Sequence, residues 1–233
     1  MEFQDIGIII SKQPLKDHYD IIQTLTKTHG LYSGVVRRSR KKPFQVGDLV
    51  DFFWRARLHE HIGMAKCELI KSYSSYILFD KTKIYALNAI LNMINIAFHE
   101  RAPHNNFFLA FIDYLDFLAV EEFSLYRYIK LELEILSESG YALSLDKCSI
   151  TGNTDNIKYV SPKSGNAISY ELGKLYSNKL LILPGFLIDP DASFTKEDIT
   201  YSFMLTDYFF KRYFQKKYKL NTYRDLLLKK LLF

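Results

Sequence analysis

The hydrophobic period of this chain changes once, after Tyr73, and that change restricts what it can fold into more than any other feature. Ahead of it stand five short segments rich in β-branched and aromatic residues: Ile6 to Ser11, closed by Gln13-Pro14, then Asp20 to Thr26, Leu31 to Val36, Val50 to Leu58 and Gly63 to Ser72. Segments of that length and punctuation read as strands. No helical period separates them, so they predict a small five-stranded barrel over residues 1–74. Behind the change, Ile84, Leu87, Ile90, Leu91, Ile94 and Phe98 recur at helical spacing. Phe108, Phe111, Ile112, Leu115 and Leu118 do the same, and Phe123 to Glu138 reads as a third helix.

The expected class is therefore α+β, a barrel followed by a helical domain over residues 75–233. No Gly/Pro-rich linker separates the two near Ser72 to Ser75, which predicts that they pack together. Residues 140–191 are turn-rich, with TGNTDN and SPKSGN, and predict an irregular insert with one hairpin, Ile157 to Val160 against Asn166 to Tyr170. Helix returns at Thr195, whose hydroxyl and the Asp198 carboxylate stand at capping-box spacing, and a terminal helix starts at Thr222. No internal repeat is visible.

Charge is distributed unevenly. The net charge of +5 comprises about +4 over residues 1–71, −4 over 72–139, zero over 140–194 and +5 over 195–233. Two basic ends attract a polyanion more than a uniform surface would. The densest run follows the turn Thr28-His29-Gly30 and its strand: Arg37, Arg38, Arg40, Lys41 and Lys42 put five cations in six residues. So many like charges stand in water or against an anion, and Arg55 and Arg57, two apart on a strand, share a face. These seven are the candidate phosphate contacts. A second basic strip, Lys211, Arg212, Lys216, Lys217 and Lys219, interleaves with aromatic residues on a segment whose rings turn inward at helical spacing, which reads as a core helix with a basic outer face or, alternatively, as a second contact strip for phosphates.

Other chemistries find little support. A 48% hydrophobic, 24% charged composition excludes a disordered chain. The two cysteines, Cys67 and Cys148, make neither a disulfide framework nor a four-thiolate zinc site. Glu2 and Asp5 precede only a brief apolar run, so no signal peptide is expected, and Ala86 to Phe98 is too short and too interrupted by Asn for a membrane span. A soluble cytoplasmic chain is the expectation. His59-Glu60-His61 offers two imidazoles but no third zinc ligand and reads as a turn. With the carboxylates of Asp113 and Asp116 it is the weak basis for a metal-dependent nuclease. No Ser/His/Asp order, phosphate loop or deaminase signature appears, which predicts a chain that is no enzyme and holds no cofactor or metal.

In their order and spacing, DIGIIISK, THGLYSGVVRRSR, FQVGDLVDFFWRARLHEHIG, LELEILSESGYALSLDKCSITG, YVSPKSGNAIS and LPGFL resemble the RecO family of bacterial recombination mediators over nearly the whole chain. WRARLHEHIG and YVSPKSG look most like its alphaproteobacterial branch. The resemblance implies an oligonucleotide-binding (OB) barrel and a helical domain. It further implies binding of single- and double-stranded DNA, strand annealing, and action with RecR to load recombinase onto strands coated by single-strand-binding protein. Some members carry a four-cysteine zinc site in the insert. Here only Cys148 stands in that pattern, with Thr151 three residues on, so the insert is zinc-finger-like without the ligands. The family's site for the acidic, Phe-ended tail of single-strand-binding protein falls, by the same resemblance, on Lys130 of YIKLELEIL, supported by Arg127 one turn back. A barrel that binds RNA or regulates is the alternative reading, since basic charge alone does not separate DNA from RNA.

Overall fold

The computed structural model describes residues 1–16, 18–38, 43–58, 62–215 and 222–233. It is a mixed α+β chain whose contacts divide it into two compact units, Met1–Phe123 and Ser124–Phe233.

Five strands open the first unit: β1 (Glu2–Pro14), β2 (Tyr19–Thr26), β3 (Gly30–Arg37), β4 (Leu49–Arg55) and β5 (Gly63–Lys71). Neighbours pair antiparallel except β3 with β5, which is parallel, and β1 pairs with both β2 and β4. The sheet therefore closes on itself in the order β1-β2-β3-β5-β4. Alternation does the sorting: along β4, Val50, Phe52 and Trp54 turn inward to Ile9, Ile22 and Val36, while Phe53 and Arg55 face water. The predicted turn at Thr28-His29-Gly30 is present, with Gly30 at φ +82°. A Cβ there would lie 2.0 Å from the Ala102 carbonyl oxygen, so glycine is required by both conformation and space.

Three helices complete this unit: α1 (Tyr73–Ile77), α2 (Lys81–Ala97) and α3 (Asn105–Val120). The sequence does not announce α1, because five residues are too few to establish a helical period. Buried Asp48 holds its start, accepting hydrogen bonds from Ser74 N at 3.0 Å and Ser72 Oγ at 3.2 Å. Asp80 caps α2 by accepting from the amides of Thr82 and Lys83. Lys71 and the Tyr73 hydroxyl both reach Asp116 of α3, at 2.5 and 2.8 Å. The change of hydrophobic period at Tyr73 is thus a change of secondary structure, whereas the contacts divide the chain at Phe123/Ser124.

The second unit holds α4 (Leu125–Glu138), β6 (Ile157–Val160), β7 (Ala167–Ser169), α5 (Tyr170–Gly173), β8 (Leu181–Ile182), α6 (Lys196–Phe214) and α7 (Thr222–Leu232). The expected hairpin forms as β6 and β7, but the insert is less irregular than expected: β8 adds a third strand, in the order β7-β6-β8. The sequence missed it because two residues carry no alternation. The capping box at Thr195 and Asp198 is present. Under α6 lies a buried ion pair that links three helices. Arg224 of α7, 4% exposed, donates to Glu132 of α4, 0% exposed, at 2.8 and 3.1 Å. It also donates to Phe203 O and Thr206 Oγ1 of α6. No described helix is long and apolar enough to cross a membrane.

Candidate nucleic-acid interface

The register of the barrel places the predicted cations. Val35 of β3 lies beside Met64 of β5, and Met64 lies opposite Arg55 of β4. Arg37 is two residues beyond Val35 on the same outward face, so Arg37 and Arg55 lie on the outside of the barrel across two strand spacings, roughly 12 Å apart along the surface. Arg57 is exposed beyond the end of β4; it was expected within the strand, which stops at Arg55. Arg55 keeps a loose ion pair with Glu2, at 3.8 Å, and its side chain is 73% exposed.

Arg38 differs from its neighbour. Its Nε donates to Asp20 at 2.6 Å and its Nη2 to Tyr19 O at 3.2 Å, while Asp20 is 3% exposed and also faces Lys12 at 3.7 Å. A buried carboxylate needs a cation, and Arg38 supplies one. Part of its guanidinium is therefore committed to the barrel itself. Arg40, Lys41 and Lys42 lie outside the described residues, as do His59, Glu60 and His61.

Two exposed rings beside these cations were not singled out in the sequence. Phe53, outward on β4 between Asp51 and Arg55, is 37% exposed, and Tyr19, paired with Arg37 in the ladder, is 39% exposed. A base has a π-face for such rings, and only the parity of Phe53 against Trp54 could have pointed to it. The inner rings are a separate group: Phe3 stacks on His29 at 4.0 Å and lies against Tyr32 and Trp54. Asp5 anchors this turn, accepting from Thr28 N and Oγ1 at 2.8 Å and facing His29 Nδ1 at 3.0 Å. Burial alone would raise the Asp5 carboxyl, but the hydrogen bonds from His29, Thr28 and Ile6 hold it below the ordinary value.

In the second unit, Ser124 caps α4 by accepting from Arg127 N, Arg127 is exposed, and Lys130 is half-buried with its Nζ 5.8 Å from the Tyr126 ring. Ile129 and Leu131, which flank Lys130 in sequence, are 0% and 3% exposed and belong to the core. They therefore lie off the face of Lys130, because neighbouring helix positions do not share a face. Half-buried Tyr126 and Leu133 share the face of Lys130 instead.

The insert does not suit zinc. Cys148 is 1% exposed, and no described group of three His, Cys, Asp or Glu residues could hold a metal ion. Burial would raise the Cys148 thiol, but the Thr151 hydroxyl and the amides of Thr151, Ile150 and Ser169 bring it down to about 6. The structure also shows a short repeat that the sequence reading missed. Gly152 N donates to Cys148 O and Gly165 N to Ser161 O, both at 2.8 Å. Cys148 N donates to Asn153 O at 2.8 Å and Ser161 N to Asn166 O at 2.9 Å. Two turns of the form x-x-x-Thr/Ser-Gly-Asn thus close by the same pair of backbone hydrogen bonds, and their ligand-like positions hold one thiol and three hydroxyls, a poor donor set for zinc.

The chain matches the family model for the N-terminal part of Recombination protein O over residues 1–73 and that for its C-terminal part over residues 78–222. It is 53% identical over 216 residues to the DNA repair protein RecO of Rickettsia felis, covering 91% of each chain. The corresponding proteins of Rickettsia akari and Rickettsia typhi are 52% and 51% identical over the same length, again covering 91% of each chain.

Proposed function

Because the chain belongs to the RecO family, we propose that it is a non-enzymatic mediator of bacterial DNA repair and homologous recombination, acting in the cytoplasm and at the nucleoid during repair. Residues 1–74 are its nucleic-acid module and residues 75–233 its helical domain, with the insert at 140–191. It binds single- and double-stranded DNA, anneals complementary strands, and with RecR loads recombinase onto strands coated by single-strand-binding protein.

The observation that supports this reading is that Arg37, Arg55, Arg57, Phe53 and Tyr19 are all exposed on the outside of a closed five-stranded barrel. Strand closure in the order 1-2-3-5-4 supports an OB-type barrel, whose strand faces and loops take oligonucleotides. Cations bind phosphates of any sequence and rings stack on any base, which is what a mediator without sequence preference needs. From the basic run they share with Arg37 in the sequence, Arg38, Arg40, Lys41 and Lys42 are included among the proposed phosphate contacts. In the helical domain Lys130, with Arg127, takes the C-terminal carboxylate of the single-strand-binding protein's tail.

The test is a salt titration of binding to matched DNA and RNA oligonucleotides. Reversing Arg37, Arg55 and Arg57 to Glu lowers affinity for all sequences alike and reduces the slope of log affinity against log salt by about 0.7 per lost contact on single strands. Unchanged affinity and slope would reject the barrel surface. Preference for RNA over the matched DNA would favour an RNA-binding or regulatory protein instead.

A further inference from the structure

The outer stripe of α6 carries apolar and aromatic surface beside its cations. Met204 and Tyr208, one turn apart, are 55% and 38% exposed, and with Leu181 of β8 they line an open pocket of about 580 Å³. That size is in the range of small-molecule sites, about 300–1,000 Å³. Asp207, Lys211 and Arg212 also line it. The Asp207 carboxylate is engaged by Lys211 at 2.6 Å and by Arg224 at 3.7 Å, so it does not oppose an incoming anion as a bare charge would. Arg212 is held in place: it donates to Pro162 O and lies 5.5 Å over the Tyr213 ring. Tyr213 in turn stacks on Tyr141 at 3.9 Å with an 8° interplanar angle.

We propose that this pocket is a second site for single-stranded nucleic acid, one base entering it against Tyr208 while flanking phosphates meet Lys211 and Arg212. A flat ring exposed beside fixed cations is the arrangement that binds unpaired strands without reading sequence. The charge pattern selects the occupant. Lys211 and Arg212 line the pocket and open a sequence run of five cations without an acid, of which Lys216, Lys217 and Lys219 lie outside the described residues; such a run matches a repeating polyanion better than the single carboxylate of a peptide terminus. The site lies wholly in the unit Ser124–Phe233, so a chain that also holds DNA on its barrel carries two strands at once, as annealing requires.

The experiment places an indole in the pocket with Tyr208→Trp; Trp54, 2% exposed, is shielded from added quenchers. An oligothymidine of about eight nucleotides, within one barrel's usual site size of about 4–16, is then titrated into the full chain. Quenching of the new indole, two oligonucleotides bound per wild-type chain, and a roughly 5- to 150-fold weaker second site in Tyr208→Ala are the expected results. Lys211→Glu weakens the same site, with thermal melting of each variant confirming the fold. The Arg37, Arg55 and Arg57 reversal leaves this site intact, so loss here and loss at the barrel are read separately. An indole that saturating oligonucleotide does not quench overturns the proposal. Quenching only by an acidic peptide ending in Phe overturns it in favour of a protein tail.

Discussion

Arginine does opposite things in the two halves of this molecule. On the barrel, Arg37, Arg55 and Arg57 stand in water at strand ends, and Arg55 keeps one loose partner at 3.8 Å. In the helical unit Arg224 is 4% exposed and donates to Glu132, Thr206 and a backbone carbonyl. The first arrangement leaves charge available to an external anion. The second satisfies it internally, and its role is to tie α4, α6 and α7 together. Arg38 stands between the two, with a buried carboxylate on one side and solvent on the other. Positive charge in the sequence therefore has to be read against the buried carboxylates that engage it, as Asp20 engages Arg38.

The comparison is sharpest in stability. Glu132→Ala leaves Arg224 buried without its carboxylate and costs about 3–5 kcal/mol, whereas Arg37→Ala stays within about 0.5 kcal/mol, both measured by urea unfolding. Equal costs would break the contrast. In the barrel the sensitive position is uncharged. Gly30→Ala forces a left-handed φ on alanine and drives its Cβ into the Ala102 backbone, for a loss of about 2–5 kcal/mol in the same assay.

Lys130 tests whether a half-buried cation of the helical unit can serve a partner as the barrel cations are proposed to serve DNA. A hydrogen-bonded ion pair with a terminal carboxylate contributes roughly 1.5–3 kcal/mol, so Lys130→Ala weakens binding of a tail peptide about 10- to 100-fold and leaves naked DNA binding unchanged. Equal peptide affinity for both proteins would place Lys130 with the helix's own carboxylates.

Much of the fold was legible because periodicity is local. Five strands, the Gly30 turn, the helices α2 to α4 and the Thr195 capping box each announce themselves within a few residues. What was illegible depends on distance along the chain. Glu132 and Arg224 are 92 residues apart, and nothing near either one marks the pair. Arg37 and Arg38 read alike in sequence, and only Asp20, 18 residues away, separates their roles. Phe53 was counted in a strand without being assigned a side.

The smallest expected effect concerns acid. Asp5 holds the turn that precedes β3, and hydrogen bonds from His29, Thr28 and Ile6 outweigh burial to lower its folded-state pKa. In the unfolded chain the group titrates near the ordinary value of about 3.9. Its contribution is therefore complete above that value and disappears as pH falls through the folded pKa, where the native state takes up the proton as well. Asp5→Asn removes the charge, so the variant is less stable than wild type near neutrality by about 1 kcal/mol, the size of a net hydrogen bond. The difference narrows on acidification, and urea midpoints collected from pH 7 down to pH 3 measure it. The second unit contains no Asp5, so a probe confined to it, such as an indole introduced at Tyr208, should show no change in its own acid limb if the two units unfold separately. A difference between wild type and Asp5→Asn that widens as pH falls would contradict the lowered pKa and the anchoring of the turn that it reflects.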